Sequence, residues 1–150
     1  MADHLRQQIH AAVVSAVTGL GTTASRVFVD RDTDARPLVA AELPGLVLPD
    51  AGENGETITM GRTGIMQRLL RFPITAHVKA QADPGATLNL ILKELEVALA
   101  VADLAGAKSC FLIEVGDREI SEATETKVAR QIFTFEIFYC TARGAPDVAL

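Results

Sequence analysis

The chain has 150 residues, of which 49% are hydrophobic and 22% charged, and its formal net charge is −5. This length and composition predict one globular domain that buries a core without disulfide or metal staples. The acidic balance disfavours duplex binding by phosphate neutralisation, and an aromatic content of 5% without tryptophan disfavours sites that stack bases or sugars.

The N-terminus, the apolar runs and the two cysteines indicate the protein's compartment and the redox state of its thiols. The first residues open an amphipathic pattern, not a basic and then apolar leader, and no apolar run approaches the roughly 20 residues of a membrane span. Cys110 and Cys140 lie outside any C-x-x-C pattern. We therefore expect a soluble protein that makes no membrane contact, with both cysteines reduced and packed in the core.

The N-terminal segment has the apolar periodicity of a helix. Asp3 is its expected N-cap, Gly19 or Gly21 its expected end, and a short strand from Arg26 to Asp30 is predicted to follow. The apolar residues that recur at steps of three and four are Leu5, Ile9, Ala12, Val13, Ala16, Val17 and Leu20.

Arginines and aspartates alternate in the next segment. Arg31, Asp32, Asp34 and Arg36 lie within six residues of one another. Such a mixed-charge run is typical of a solvated turn, and it also suits a self-complementary contact between copies of the chain. Both interpretations stay open at this point.

A strand bounded by prolines and a glycine-rich hairpin come next. The run from Glu42 to Pro49 predicts a strand at a sheet edge. The Asn54-Gly55 pair predicts a tight turn between two strands within the stretch from Pro49 to Gly64. This stretch ends in Gly61-Arg62-Thr63-Gly64, which is not a phosphate loop because the chain has no Gly-Lys pair.

The segment from Gln67 to Ala80 is the cleanest predicted strand. Phe72, Ile74, Ala76 and Val78 alternate with polar residues, which predicts one core face and one polar, mildly basic face. The polar face includes Arg71, His77 and Lys79, and His77 is expected to be either hydrogen-bonded or at an interface. A second helix follows, capped by Thr87, with its apolar face from Leu88 to Ala102 and its end at Gly106.

The C-terminal third predicts two strands around an acidic connection. They run from Phe111 to Val115 and from Val128 to Ala142, and the second is expected to be central or covered by a partner because it is apolar on both faces. The connection from Gly116 to Lys127 reads as a solvated loop, or as a patch facing a divalent ion or a lumen. Gly144–Leu150 reads as a loose tail, which leaves one domain over residues 1–143.

These elements predict the α+β class, with two helices packed on one mixed, mostly antiparallel sheet and a long β-hairpin. The three histidines have no metal-like spacing, and no nucleophile elbow accompanies His77. We therefore expect no enzymatic activity, no metal and no cofactor.

Several segments resemble, in order and spacing, the tail-terminator family of long-tailed bacteriophages, of the minor tail protein U type. The likeness lies in the N-terminal helix followed by Arg26-Val27-Phe28, then in Glu42–Leu48, Arg71–Val78, the helix Leu88–Ala102 and the closing strand around Phe133–Tyr139. It departs from the family pattern in the glycine-rich insert from Pro49 to Gly64.

The resemblance implies a hexameric ring, located in the virion at the head-proximal end of the tail. Such a ring stops polymerisation of the tail tube and presents a surface to the head–tail connector protein, while DNA only passes through its lumen. A head–tail connector or tail-completion protein is the alternative within the same particle, and a small metabolite-binding domain is a more remote one. The residues expected at subunit or tube interfaces are Arg31, Asp32, Asp34, Arg36, Arg62, Met66, Arg71, His77 and Lys79.

Overall fold

The computed structural model describes residues 3–51, 55–61, 64–80, 83–121 and 127–150. Within these ranges the chain forms two α-helices, one 3-10 turn and eight strands. In chain order they are α1 (Leu5–Val17), β1 (Val27–Val29), the 3-10 turn (Ala40–Glu42), β2 (Gly45–Leu48), β3 (Glu56–Met60), β4 (Ile65–Lys79), α2 (Pro84–Val101), β5 (Ser109–Val115), β6 (Glu119–Ser121), β7 (Val128–Ala142) and β8 (Ala145–Ala149).

The strands form one mixed sheet around the long antiparallel pair of β4 and β7. This pair keeps one register from Ile65 opposite Ala142 to Lys79 opposite Val128. Along the outer side of β4, β2 pairs near one end and β3 near the other, and β1 joins β2 in parallel. Strands β6, β5 and β8 line the outer side of β7. The predicted α+β class, with two helices and a mostly antiparallel sheet, is confirmed.

Both helices pack on the same face of the sheet and form the main core with it. The two predicted helical stripes are confirmed as buried, and the central strands bury alternate residues, as a period of two requires. The residues that α1 and α2 bury are Leu5, Ile9, Val13, Val17, Leu88, Ile91, Leu95 and Leu99. Those that β4 and β7 bury on this face include Leu70, Phe72, Ile74, Ala76, Val78, Phe133, Phe135, Ile137 and Tyr139.

The predicted limits of α1 are wrong at both ends. His4, not Asp3, is the N-cap, and its Nδ1 accepts the amide of Arg6 at 3.0 Å. The helix ends at Val17, before either expected glycine, because the backbone of Thr18 is already extended. Leu20 therefore packs on the core from the loop that follows α1.

The second helix begins earlier than predicted. Asp83 is the N-cap, with its carboxylate accepting the amide of Ala86 at 3.1 Å, and Pro84 occupies the first turn. Proline suits that position because its fixed φ is helical and its missing N–H has no partner there anyway. Thr87 therefore lies inside the helix, which ends at Val101.

The predicted pairing of the glycine-rich hairpin is wrong. Asn54 and the start of the expected turn lie outside the described residues, but β2 and β3 do not pair with each other there; each pairs with a different part of β4. The hairpin that forms joins β3 to β4, with Met60 opposite Met66.

The predicted limits of β7 are confirmed at both ends, and those of β4 to within two residues. The prediction of a loose C-terminal tail is wrong, because residues 145–149 form β8 and pair with the end of β7. The amide of Leu150 also donates to the carbonyl of Cys140 at 3.0 Å. In the acidic connection, residues 119–121 form β6, and residues 122–126 lie outside the described part.

Candidate assembly surface

The face of the sheet opposite the helices carries a band of exposed apolar side chains. We call these residues the apolar band: Leu69 of β4, Phe111 of β5, and Ile132 and Phe138 of β7. Phe138 is half-buried and the other three are exposed, Phe111 most of all with 65% of its surface accessible. Scattered apolar residues are normal on a protein surface, so their contiguity decides whether they matter.

The strand register brings three residues of the apolar band together, whereas Ile132 lies further along the same face, opposite Thr75. Leu69 lies directly opposite Phe138, and Phe111 lies opposite Glu136, one diagonal step from Phe138. Ile113 sits at a β-bulge of β5, where the register shifts between Leu112 and Glu114. The band thus crosses three adjacent strands.

Arg71 lies inside this band, as one of the predicted interface residues. Its side chain is exposed, and its register partner on β7 is Glu136. Opposite charges at directly paired positions attract across a sheet. Arg71 and Glu136 therefore place one pair of opposite charges among the apolar side chains of the band.

One end of the helix-free face is covered by residues 31–43, which we call the cover segment. Leu38 and Leu43 of this segment are buried and pack with Val128, Phe28 and Val47 in a small second core. Val47 and Val128 belong to helix-free positions of β2 and β7, so the segment crosses the sheet on that side.

Arg31 and Glu42 fasten the two ends of the cover segment to each other. The Arg31 guanidinium donates to both carboxylate oxygens of Glu42, one of them at 3.0 Å, and lies 5.0 Å from the centroid of the Phe28 ring. It also donates to the carbonyls of Arg36 and Pro37, each at 3.0 Å. The hydrogen bonds that Glu42 accepts from Arg31 and from the amide of Val39 lower the pKa of Glu42. Arg31 is thus held by contacts within its own chain.

The other charged residues of this segment differ in what they contact. Asp32 accepts the amides of Asp34 and Ala35 and so stabilises the turn. The Asp34 carboxylate is 3.8 Å from Arg130 but remains 91% exposed, and Arg36 is exposed as well. The structure therefore leaves Asp34 and Arg36 accessible and uses Asp32 locally.

His77 is buried beneath the cover segment. Only 4% of its surface is accessible, and its Nε2 has no hydrogen-bond partner among the described residues. It lies opposite Arg130 on β7 and Gly45 on β2. Burial, together with the charges of Arg130 and Arg31, lowers the pKa of His77 to about 4. The expectation of a hydrogen bond is not met at Nε2, and an interfacial role for His77 stays a prediction.

A Cβ at Gly45 would stand 2.5 Å from the carbonyl oxygen of Glu42. Because Gly45 and His77 share a side of the sheet, this close approach places the cover segment directly beside His77. Lys79, two residues further along β4, is exposed at the end of the strand.

The hairpin of β3 and β4 is anchored to the body of the fold by a polar cluster. The Tyr139 hydroxyl donates to the Glu56 carboxylate, which also lies 3.8 Å from Arg6 and from Arg68. Burial and the bond to Glu56 raise the pKa of Tyr139. Met66 is half-buried beyond this cluster at the base of the turn, and Arg62 lies outside the described residues.

Sequence reasoning missed Leu69, Phe111 and Ile113 as surface residues. Their exposure could not be predicted because an edge strand with one bare face has the same sequence pattern as one with a covered face. Within the described residues, no group of three or more histidine, cysteine or carboxylate side chains is placed to hold a metal ion. No helix in that part of the chain is long and apolar enough to span a bilayer.

The chain is similar to known structures and to no known family model. No family model matches the chain, and no curated protein matches it. A chain described as "Virion of native gene transfer agent (GTA) particle" is similar with a TM-score of 0.49 and 17% sequence identity. The match covers 90% of this chain and 92% of that chain.

Proposed function

We propose that this chain is a non-enzymatic structural subunit of a phage tail. In this proposal, copies form a ring that caps the head-proximal end of the tail tube, stops its polymerisation and presents a surface to the head connector. The sequence segments that resemble the tail-terminator family suggest the place in the particle. The observation that carries the assembly role is the apolar band on the helix-free face.

The band supports an assembly role because exposed apolar area is costly in a free monomer. At about 25 cal/mol per Å² of apolar surface removed from water, covering one large side chain such as Phe111 contributes about 1.5–3 kcal/mol. Contiguous patches of this kind mark surfaces that meet a partner. The cover segment closes one end of the same face and leaves the band bare.

The test combines native mass spectrometry with a tube-capping assay on purified tail tubes. The wild-type chain is expected to form rings and to bind one end of a tube. Phe111→Asp should abolish ring formation or tube binding. Val97→Asp is the matched control, because Val97 is 59% exposed but lies on α2, on the other side of the sheet.

Three results would count against the proposal. A chain that remains monomeric with and without tubes, and caps none, is not a terminator. Binding to an isolated head connector but not to tubes would favour the alternative of a connector or tail-completion protein. Equal loss in Phe111→Asp and Val97→Asp would remove the apolar band as the carrier of assembly.

A further inference from the structure

Strands β3 and β5 lie at opposite edges of the sheet; β1 also lies on the β3 side, and β6 and β8 lie on the β5 side. Within the described residues, no strand pairs with the outer side of β3 or with the outer side of β5. Both strands expose apolar side chains, including Ile58 and Met60 on β3 and Phe111 and Val115 on β5. An open apolar edge is a template for pairing with another chain unless something covers it.

The directions of the two edge strands are complementary. The pairs β3–β4, β4–β7 and β7–β5 are all antiparallel, so β3 and β5 run in opposite directions. A second copy placed alongside in the same orientation therefore brings its β3 antiparallel to β5 of the first. Antiparallel pairing is slightly the more stable kind, and both copies keep their helices on the same side.

The backbone of β3 offers free hydrogen-bonding groups at this edge. The Gly55 carbonyl accepts from the Arg71 amide at 3.0 Å, and the Gly61 amide donates to the Ile65 carbonyl at 2.7 Å. The backbone N–H and C=O groups of the odd-numbered residues of β3 thus point toward β4. Because the direction alternates along a strand, the backbone groups that point to the open edge are those of Glu56, Ile58 and Met60.

The same alternation identifies the free groups of β5. The Gly116 amide donates to the Ile132 carbonyl at 2.8 Å, so the backbone N–H and C=O groups of even-numbered residues of β7 point toward β5. Glu136 is one of these residues, and the backbone groups of its partner Phe111 therefore point toward β7. The backbone groups of Cys110 and Leu112 consequently point to the open edge.

The side chains at these outward positions are compatible. Ile58 lies opposite Arg68 and Met60 opposite Met66, which places both on the helix side of the sheet. Cys110 and Leu112 lie opposite Ile137 and Phe135, on that same side. Pairing the two edges would therefore place apolar side chains beside apolar side chains.

We propose that β3 of one copy pairs antiparallel with β5 of the next copy, so that one continuous sheet joins the subunits. This inference rests on the proposed ring, for which it supplies the contact. A head-to-tail contact covers both apolar edges at once, whereas a two-fold pairing of β5 with β5 leaves every β3 open. Since β5 is level with residues 69–74 of β4 and β3 with residues 66–70, neighbouring copies are offset along the strands, as in closed sheets with tilted strands.

Disulfide cross-linking tests the pairing without disturbing the fold. Ile58→Cys and Met60→Cys each place a thiol at the β3 edge, on the side that Cys110 occupies at β5. Disulfide formation removes two electrons, so an oxidant is added, and alkaline pH is used because burial raises the pKa of Cys110 to about 11. At least one variant should give a ladder of dimers, trimers and larger species on a denaturing gel, and Cys110→Ser should abolish it.

Blocking the edge is the second test. Ile58→Pro removes the backbone N–H that points to the open edge, at a residue that is 46% exposed. Ile58→Thr is the control that keeps this N–H. The proline should weaken association at least about tenfold, through loss of backbone hydrogen bonds, while the threonine keeps most of it. Circular dichroism of the proline variant verifies that the monomer folds.

The outcomes separate this inference from the proposed function. Rings that cap tubes but give no ladder, and that tolerate the proline, overturn the edge pairing and leave the function standing. If the wild type gives dimers cross-linked through Cys110 and no larger species, the copies pair two-fold through β5, which overturns the pairing of β3 with β5. The absence of any assembly or tube capping would overturn both.

Discussion

His77 offers a test of the cover segment that needs no partner protein. In the folded chain its pKa is lowered from 6.5 to about 4, first by burial and then by the charges of Arg130 and Arg31. The unfolded chain therefore takes up a proton at this residue before the folded chain does. Stability is complete while the histidine is neutral in both states, is lost as the pH falls below about 6.5, and stops falling below about 4.

The expected size follows from the shift. Each pKa unit corresponds to about 1.4 kcal/mol, so the full effect is about 3 kcal/mol, of which about 2 kcal/mol appears between about pH 7 and about pH 5. His77→Gln cannot take up this proton. We expect the wild type to lose about 2 kcal/mol more than the variant over that interval.

The measurement is urea unfolding of both proteins at the two pH values, followed by far-ultraviolet circular dichroism. The comparison with the variant isolates the contribution of His77. Equal pH dependence in both proteins would refute the reasoning. An NMR titration of the wild type gives an independent check: a His77 pKa near 6.5 would show that the cover segment does not shield the ring.

Two further substitutions test how the sheet is covered and anchored. Gly45→Ala should cost about 1–3 kcal/mol of unfolding free energy because its Cβ meets the Glu42 carbonyl, whereas Gly55→Ala, where a Cβ meets nothing within 4 Å, should change it little; equal effects in urea denaturation would contradict the close approach. Tyr139→Phe should cost about 1–3 kcal/mol because it leaves the buried Glu56 carboxylate without its hydroxyl donor, and a variant as stable as the wild type in the same assay would show that this bond is dispensable.

The long strands were legible in the sequence because their signal is local. In β7, Phe133, Phe135, Ile137 and Tyr139 alternate over enough residues to fix both the strand and its buried side. The stripes of the helices were readable for the same reason. The helix ends were less so, because His4 competes with Asp3, and Asp83 with Thr87, for the same capping role.

The errors arose where distant segments meet. Asn54-Gly55 suggested a turn between neighbouring strands, but the two segments on either side of it pair with different parts of β4, which no local turn signal encodes. Residues 145–149 contain a proline and an aspartate and have weak strand propensity, yet β8 forms because β7 extends far enough to pair with it. His77 alternates as an exposed residue would, and only the cover segment buries it.

The candidate surface was anticipated only in part, for a reason that bears on how copies would meet. The mixed charges of residues 31–36 suggested a contact between copies, but Arg31 is already bound to Glu42 and to two carbonyls, and Asp32 holds its own turn. A neighbouring copy would have to break these bonds before it could bind the same groups. Exposed ion pairs contribute only about 0–1 kcal/mol to the free energy of association. The apolar band and the open edges have no such bonds to break, which makes them the more favourable contact surfaces.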